Sequence, residues 1–146
     1  GVRYDLTVML QPTCPLRKAD HVEQAVRFLI DRGHDSVWTV SRADIKYHPL
    51  KALRVREGHL NHYDPKGPEI KARQQLDQTY YRNGAAYVLT RSCIVEQKTT
   101  MGVNAGACIL DDPMVSIDTE EDFRLVEEHL KHRGMARLKE TGDPPP

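Results

Sequence analysis

The sequence has no surplus of charge: among 146 residues, 21 Lys and Arg balance 21 Asp and Glu, and the pI is about 7.2. That balance excludes a global pull toward nucleic acid or an anionic membrane, so any bound anion must be held by local groups. No apolar run approaches the length of a membrane span, and the opening GVRYDLTVML lacks the regions of a signal peptide, which predicts a soluble, cytoplasmic chain. Cysteine is scarce. Cys14, Cys93 and Cys108 are odd in number and widely spaced, which excludes a disulfide framework or zinc knuckle and suits a reducing compartment. A glycine-rich phosphate loop, a nucleophile elbow and a Ser-His-Asp order are also missing. His59 with His62 and His129 with His132 find no Cys or further His to complete a zinc set.

What is present begins with a strand-length apolar run, Leu6, Val8, Met9 and Leu10, broken by Gln11-Pro12-Thr13. Pro12 and Pro15 cannot donate to a sheet ladder, so the chain leaves the sheet at that strand's carboxyl end, the edge where open α/β sheets bind ligands. Gln11 and Thr13 are placed there to meet a polar small molecule. The same residues also read as a proline-rich connection with no ligand. Asp20 and Glu23 have capping-box spacing, Val22, Ala25, Val26, Leu29 and Ile30 recur at helical spacing, and Gly33 is placed to end the helix over 20–32. Residues 36–41 (SVWTVS) read as the next strand of a βαβ unit.

From 42 to 78 the pattern changes to an antiparallel excursion, Leu53 and Val55 against Leu60 with a turn at Gly58. Strands are expected at 85–90, 107–110 and 115–118, a short helix at 91–96, and a helix capped by Thr119 and Asp122. That helix is expected to run to about His132 with Phe123, Val126 and Leu130 inward and to end at Gly134. Residues 135–146 read as a disordered tail. One chain of this length makes one domain, here over 1–134.

Candidate chemistry falls in predicted loops and at strand ends. Arg73 can grip a carboxylate through paired hydrogen bonds, Gln74 and Asn83 can read hydroxyl or amide groups, Gly84 allows close backbone approach, and Lys51 follows His48-Pro49. Each alone also reads as a solvated side chain or turn residue. Asp118 ends a predicted strand just before a helix, where a carboxylate can hold Mg²⁺ or simply cap the turn. Cys14 reads as a small filler, since no cationic partner is close enough in sequence to activate it.

The segments 10–17 (LQPTCPLR), 47–51 (YHPLK), 73–76 (RQQL), 82–87 (RNGAAY) and 117–123 (IDTEEDF), in this order, resemble the acylneuraminate cytidylyltransferases, or CMP-sialic acid synthetases. The resemblance implies an α/β, Rossmann-like nucleotide-sugar transferase fold, three-layered and mostly parallel, with the 42–78 insert exchanging contacts in a homodimer. It implies transfer of CMP from CTP to an acidic nine-carbon keto-sugar with release of pyrophosphate, using Mg²⁺. Residue by residue, Gln11 would contact the sugar, Arg73 and Gln74 its carboxylate and polar groups, and Lys51 the anionic substrate. Asn83 and Tyr87 would line the pocket, and Asp118 would bind the metal and, with Arg73, carry the catalytic charge. Ser116 stands where the family has a second aspartate. The family's amino-terminal CTP-cradling loop has no counterpart, so the resemblance is to the carboxyl-terminal part of such an enzyme. That part is expected to hold the sugar side, to turn over poorly alone and to self-associate through an open sheet edge. Pseudaminic, legionaminic and 3-deoxy-manno-octulosonic acids are alternative sugars, and a non-catalytic dimerising module is the alternative to an enzyme.

Overall fold

The computed structural model describes residues 2–141, and side chains over 2–132. Its elements are β1 (Leu6–Met9), α1 (Ala19–Arg32), β2 (Ser36–Arg42), β3 (Leu53–Arg56), β4 (His59–His62), β5 (Tyr80–Thr90), α2 (Arg91–Val95), β6 (Ala105–Ile109) and α3 (Glu120–Thr141), with four short 3-10 turns between β2 and β5. They divide into two units, one of residues Gly1–Val40 with Arg82–Pro146, the other of Ser41–Tyr81. Among the described residues no helix is long and apolar enough to cross a membrane.

The first unit is built on a four-stranded sheet in the order β1-β5-β2-β6. This is the expected Rossmann-like α/β class, but the sheet is mixed rather than mostly parallel. β2 and β6 are parallel, with Ser36 opposite Ala105 and Val40 opposite Ile109, whereas β1 and β5 are antiparallel, with Leu6 opposite Thr90 and Met9 opposite Tyr87. The Thr90 N–H donates to Asp35 O at 2.9 Å, and four residues along β2 Thr39 meets Ala86, so β5 also runs against β2. β1 and β2 therefore point the same way, as a strand-helix-strand crossover requires, but leave a slot that β5 fills in reverse.

Helix α1 buries His21, Ala25 and Leu29, one residue every four, and closes on Gly33 in the left-handed region at φ 65°. Its start differs from the expected Asp20–Glu23 box. Lys18 is the N-cap, and its backbone N–H donates to His21 Nδ1 at 3.1 Å, so a histidine does the reaching back usually done by Glu. Glu23 pairs instead with Arg27, one turn along.

The core gathers Cys14, Ala25, Leu29, Val37, Ala85, Ala86, Val88, Cys108, Leu110 and Met114. Small side chains on β5 allow close packing above and below it. Buried Thr39 joins this core to the strand's polar end. Its hydroxyl accepts from Ala86 N–H at 2.9 Å and turns its own proton toward Asn83 Oδ1 at 2.7 Å or Ala86 O at 3.0 Å.

Two further expectations are corrected. Residues 115–118 form no strand, because the segment makes one backbone bond, Ile117 N–H to Thr13 O at 2.9 Å, rather than a ladder. Helix α3 continues through Gly134 to Thr141, and of its expected inward residues only Val126 is buried, Phe123 and Leu130 being 54% and 46% exposed. Its start is as expected: Asp122 Oδ2 accepts from Thr119 N–H, and Thr119 Oγ1 accepts from Asp122 N–H. Of the expected tail, residues 142–146 lie outside the described residues.

The second unit carries the β3–β4 hairpin. Val55 faces Leu60 and Leu53 faces His62, and the turn places Glu57 and Gly58 at φ 50° and 80°. Two consecutive positive φ values match the twist of a tight hairpin. The Gln75 carboxamide oxygen accepts from the Lys71 and Ala72 N–H groups, both at 2.8 Å, which sets the Arg73–Gln75 turn.

Replacing Thr39 by Val keeps its volume but strands the Ala86 N–H in the core and takes from Asn83 Oδ1 one of its donors. The expected loss is about 1–3 kcal/mol, read as a lower denaturant midpoint; an unchanged midpoint would contradict this role for the hydroxyl.

Candidate functional site

β1 and β2 end on the same edge of the sheet at which antiparallel β5 begins, and the first unit's predicted site residues gather there. Gln11 follows β1, and its N–H donates to Gly84 O at 3.3 Å. Arg17 Nη1 donates to Gln11 O at 3.1 Å and to Ala85 O at 3.2 Å, binding the loop after β1 to β5. Gly84 sits at φ 72°, and a Cβ there would stand 2.5 Å from Gln11 Oε1. The space that glycine leaves is thus filled by the Gln11 carboxamide.

Asn83 and Tyr87 lie beneath this edge, 4% and 2% exposed. Asn83 Oδ1 accepts from the Thr39 hydroxyl and from Ala85 N–H at 3.1 Å, so its carbonyl oxygen is engaged within the protein. The Tyr87 ring meets Trp38 edge-on at 4.9 Å between centroids, and among the described residues its buried hydroxyl has no hydrogen-bond partner. Burial pushes that phenol's pKa up, against an opposing pull from Arg82. A buried hydroxyl left unpaired costs about 1–3 kcal/mol, which a water or a ligand hydroxyl would offset.

Asp118 is exposed and stands one residue past the Ile117–Thr13 backbone bond, which brings it to the loop that carries Gln11. Its own N–H donates to Asp122 Oδ2 at 3.1 Å, and Asp122, held below the usual carboxylate range mainly by Thr119, is committed to capping α3. With Ser116 at the second position, no group of three or more His, Cys, Asp or Glu suited to a metal exists among the described residues. A lone carboxylate of this kind could hold Mg²⁺ only together with oxygens from outside the chain, such as substrate phosphates.

Lys51, Arg73 and Gln74 belong to the second unit, and all three are exposed. Lys51 ends the Pro49–Lys51 turn, while Arg73 and Gln74 open the Arg73–Gln75 turn, within whose unit Arg73 contributes to lowering the Asp44 pKa behind the stronger Lys46 N–H bond. Gln11, Asn83, Tyr87 and Asp118 share the first unit.

Two hollows, of ≈ 920 Å³ against β1, β5 and α2 and of ≈ 610 Å³ between α1 and β6, contain none of the predicted residues. They are open apolar faces of the fold. Cys14 is fully buried with its thiol 3.9 Å from Met114 Sδ, and burial raises its pKa despite Arg17, which makes it packing and not a nucleophile. Arg17 itself was within reach of sequence reasoning, as a cation in the loop that carries Pro12 and Pro15 and just before a helix.

No model of a protein family matches the chain. It is 30% identical over 92% of its length to an N-acylneuraminate cytidylyltransferase of Streptococcus agalactiae serotype V, and 29% identical over the same share to that of serotype III; in both it spans 32% of the relative. It is 23% identical over 91% of its length to the post-translational flagellin modification protein B of Campylobacter coli, of which it spans 56%.

Gly84→Ala combines a left-handed backbone with a collision at Gln11 Oε1. The expected cost is about 1–2 kcal/mol, with a displaced Gln11 side-chain amide resonance; an unmoved resonance would contradict the contact.

Proposed function

We propose that this chain, a relative of the N-acylneuraminate cytidylyltransferases along about a third of their length, holds the sugar-acid side of a site that transfers CMP from CTP to an acidic nine-carbon keto-sugar in the cytoplasm. The kinship over 92% of the chain carries this reading. In the reaction the anomeric hydroxyl oxygen bonds to the α-phosphorus, the bond to the departing phosphate breaks, pyrophosphate leaves, and the hydroxyl proton passes to solvent.

Several negative charges meet in that step, so the chain's part is to place cations and donors around them. Arg73 pairs with the sugar carboxylate, Gln74 with its polar substituents, and Lys51 with the anionic substrate. Gln11 presents its carboxamide from the edge of the sheet, while Asn83 and Tyr87 support it from below. Mg²⁺ held by Asp118 would supply charge neutralisation at the phosphates. A second reading keeps the reaction and changes the sugar to pseudaminic, legionaminic or 3-deoxy-manno-octulosonic acid.

The β3–β4 hairpin supports a homodimer. Leu53, Val55 and Leu60 share one face and are 54%, 66% and 65% exposed, an apolar face that a second copy of the hairpin would cover.

Calorimetric titration of N-acetylneuraminic acid into the chain is expected to show saturable binding that Arg73→Lys weakens about tenfold, the loss of one bidentate pair. Absence of binding to this sugar and to the three related acids would overturn the reading. Sedimentation is expected to show a dimer that Val55→Asp converts to monomer, and a monomeric parent chain would remove the dimer.

A further inference from the structure

The loop after β1 and the loop after β6 are joined three times in succession. Lys18 Nζ and His21 Nε2 reach the same oxygen of Asp112, Oδ2, at 2.9 and 2.6 Å; Cys14 meets Met114 through sulfur; and Thr13 O accepts from Ile117 N–H. Residue numbers fall along one loop as they rise along the other, so the two run side by side in opposite directions. One loop presents Gln11 and the other leads into Asp118.

His21 is 3% exposed, and its Nδ1 already accepts the Lys18 N–H, so its ring proton sits on Nε2 and points at Asp112. The carboxylate is therefore gripped by an ammonium and an imidazole N–H whose direction is fixed by the first turn of α1. Both donors stabilise the charged carboxylate, and they hold the Asp112 pKa below the usual range, the Lys18 bond contributing most. The His21 bond is part-buried, which shields it from solvent competition, whereas the Lys18 bond is exposed.

We infer that Asp112 is a positioning residue: gripped by Lys18 and His21, it fixes the loop after β6 against the loop after β1 and so sets where Asp118 stands relative to Gln11. This rests on the assignment of Gln11 and Asp118 to the proposed site, but its test does not. Amide hydrogen exchange is measured on the full chain and on Asp112→Ala and Asp112→Asn. In Asp112→Ala, exchange at Ile117 is expected to rise about tenfold while the core amides of Val37 and Val88 are unchanged. Asp112→Asn keeps an acceptor for His21 and should recover part of that loss. Unchanged exchange at Ile117, or a uniform rise that includes the core amides, overturns the inference. If Asp112→Ala does not fold, Asp112→Asn decides alone: a severalfold rise confined to the 113–118 segment supports it, and wild-type exchange refutes it. Mg²⁺ titration monitored at Asp118 separates the two proposals, since a wild-type chain indifferent to Mg²⁺ removes the metal role while leaving the exchange result intact.

Discussion

One guanidinium group ties the end of β1 to the beginning of β5. Arg17 donates to the carbonyl oxygens of Gln11, six residues away, and of Ala85, 68 residues away. Without it the loop after β1, interrupted by two prolines, would have few donors of its own to anchor it. With it, Gln11 lies in the space above Gly84, Cys14 packs into the core, and the first turn of α1 starts where Lys18 and His21 can meet Asp112. The edge of the sheet is thus bonded to both flanking segments at the point where the candidate site begins.

Much of the fold was legible from short-range pattern. Gly33, Gly58 and the Thr119–Asp122 pair did what their local chemistry predicts, because a cap or tight turn depends on a handful of neighbours. The direction of β5 was not legible. Hydrophobic periodicity is the same for a strand read in either direction, and Ala85, Ala86 and Val88 are buried in both cases. Nor did the apolar spacing of Phe123 and Leu130 reveal that only Val126 meets the core, since periodicity marks a face without showing what covers it. His21 escaped notice as a capping residue because histidine is uncommon in that role, and its partner Asp112 lies 91 residues away.

The candidate site was legible as far as its residues leave regular structure. Gln11 stands out as the polar residue at the end of an apolar run, and Asp118 as the carboxylate before a helix. Asn83 and Tyr87 were not legible as buried residues, because their burial depends on β5 lying between β1 and β2. The two units divide the chemistry. The first offers carboxamides, a phenol and a single carboxylate on a tightly bonded sheet edge, while the second offers Lys51 and Arg73 on exposed turns beside an amphipathic hairpin.

The most direct measurement is NMR of backbone and side-chain amides in the full chain as N-acetylneuraminic acid is added. The Gln11 carboxamide and the Gly84 N–H should shift together along one saturable curve. The Asn104 carboxamide, bonded to Gly33 O at the opposite end of the sheet, should stay still. Saturation with Gln11 and Gly84 unmoved would contradict a sugar-acid site at this edge.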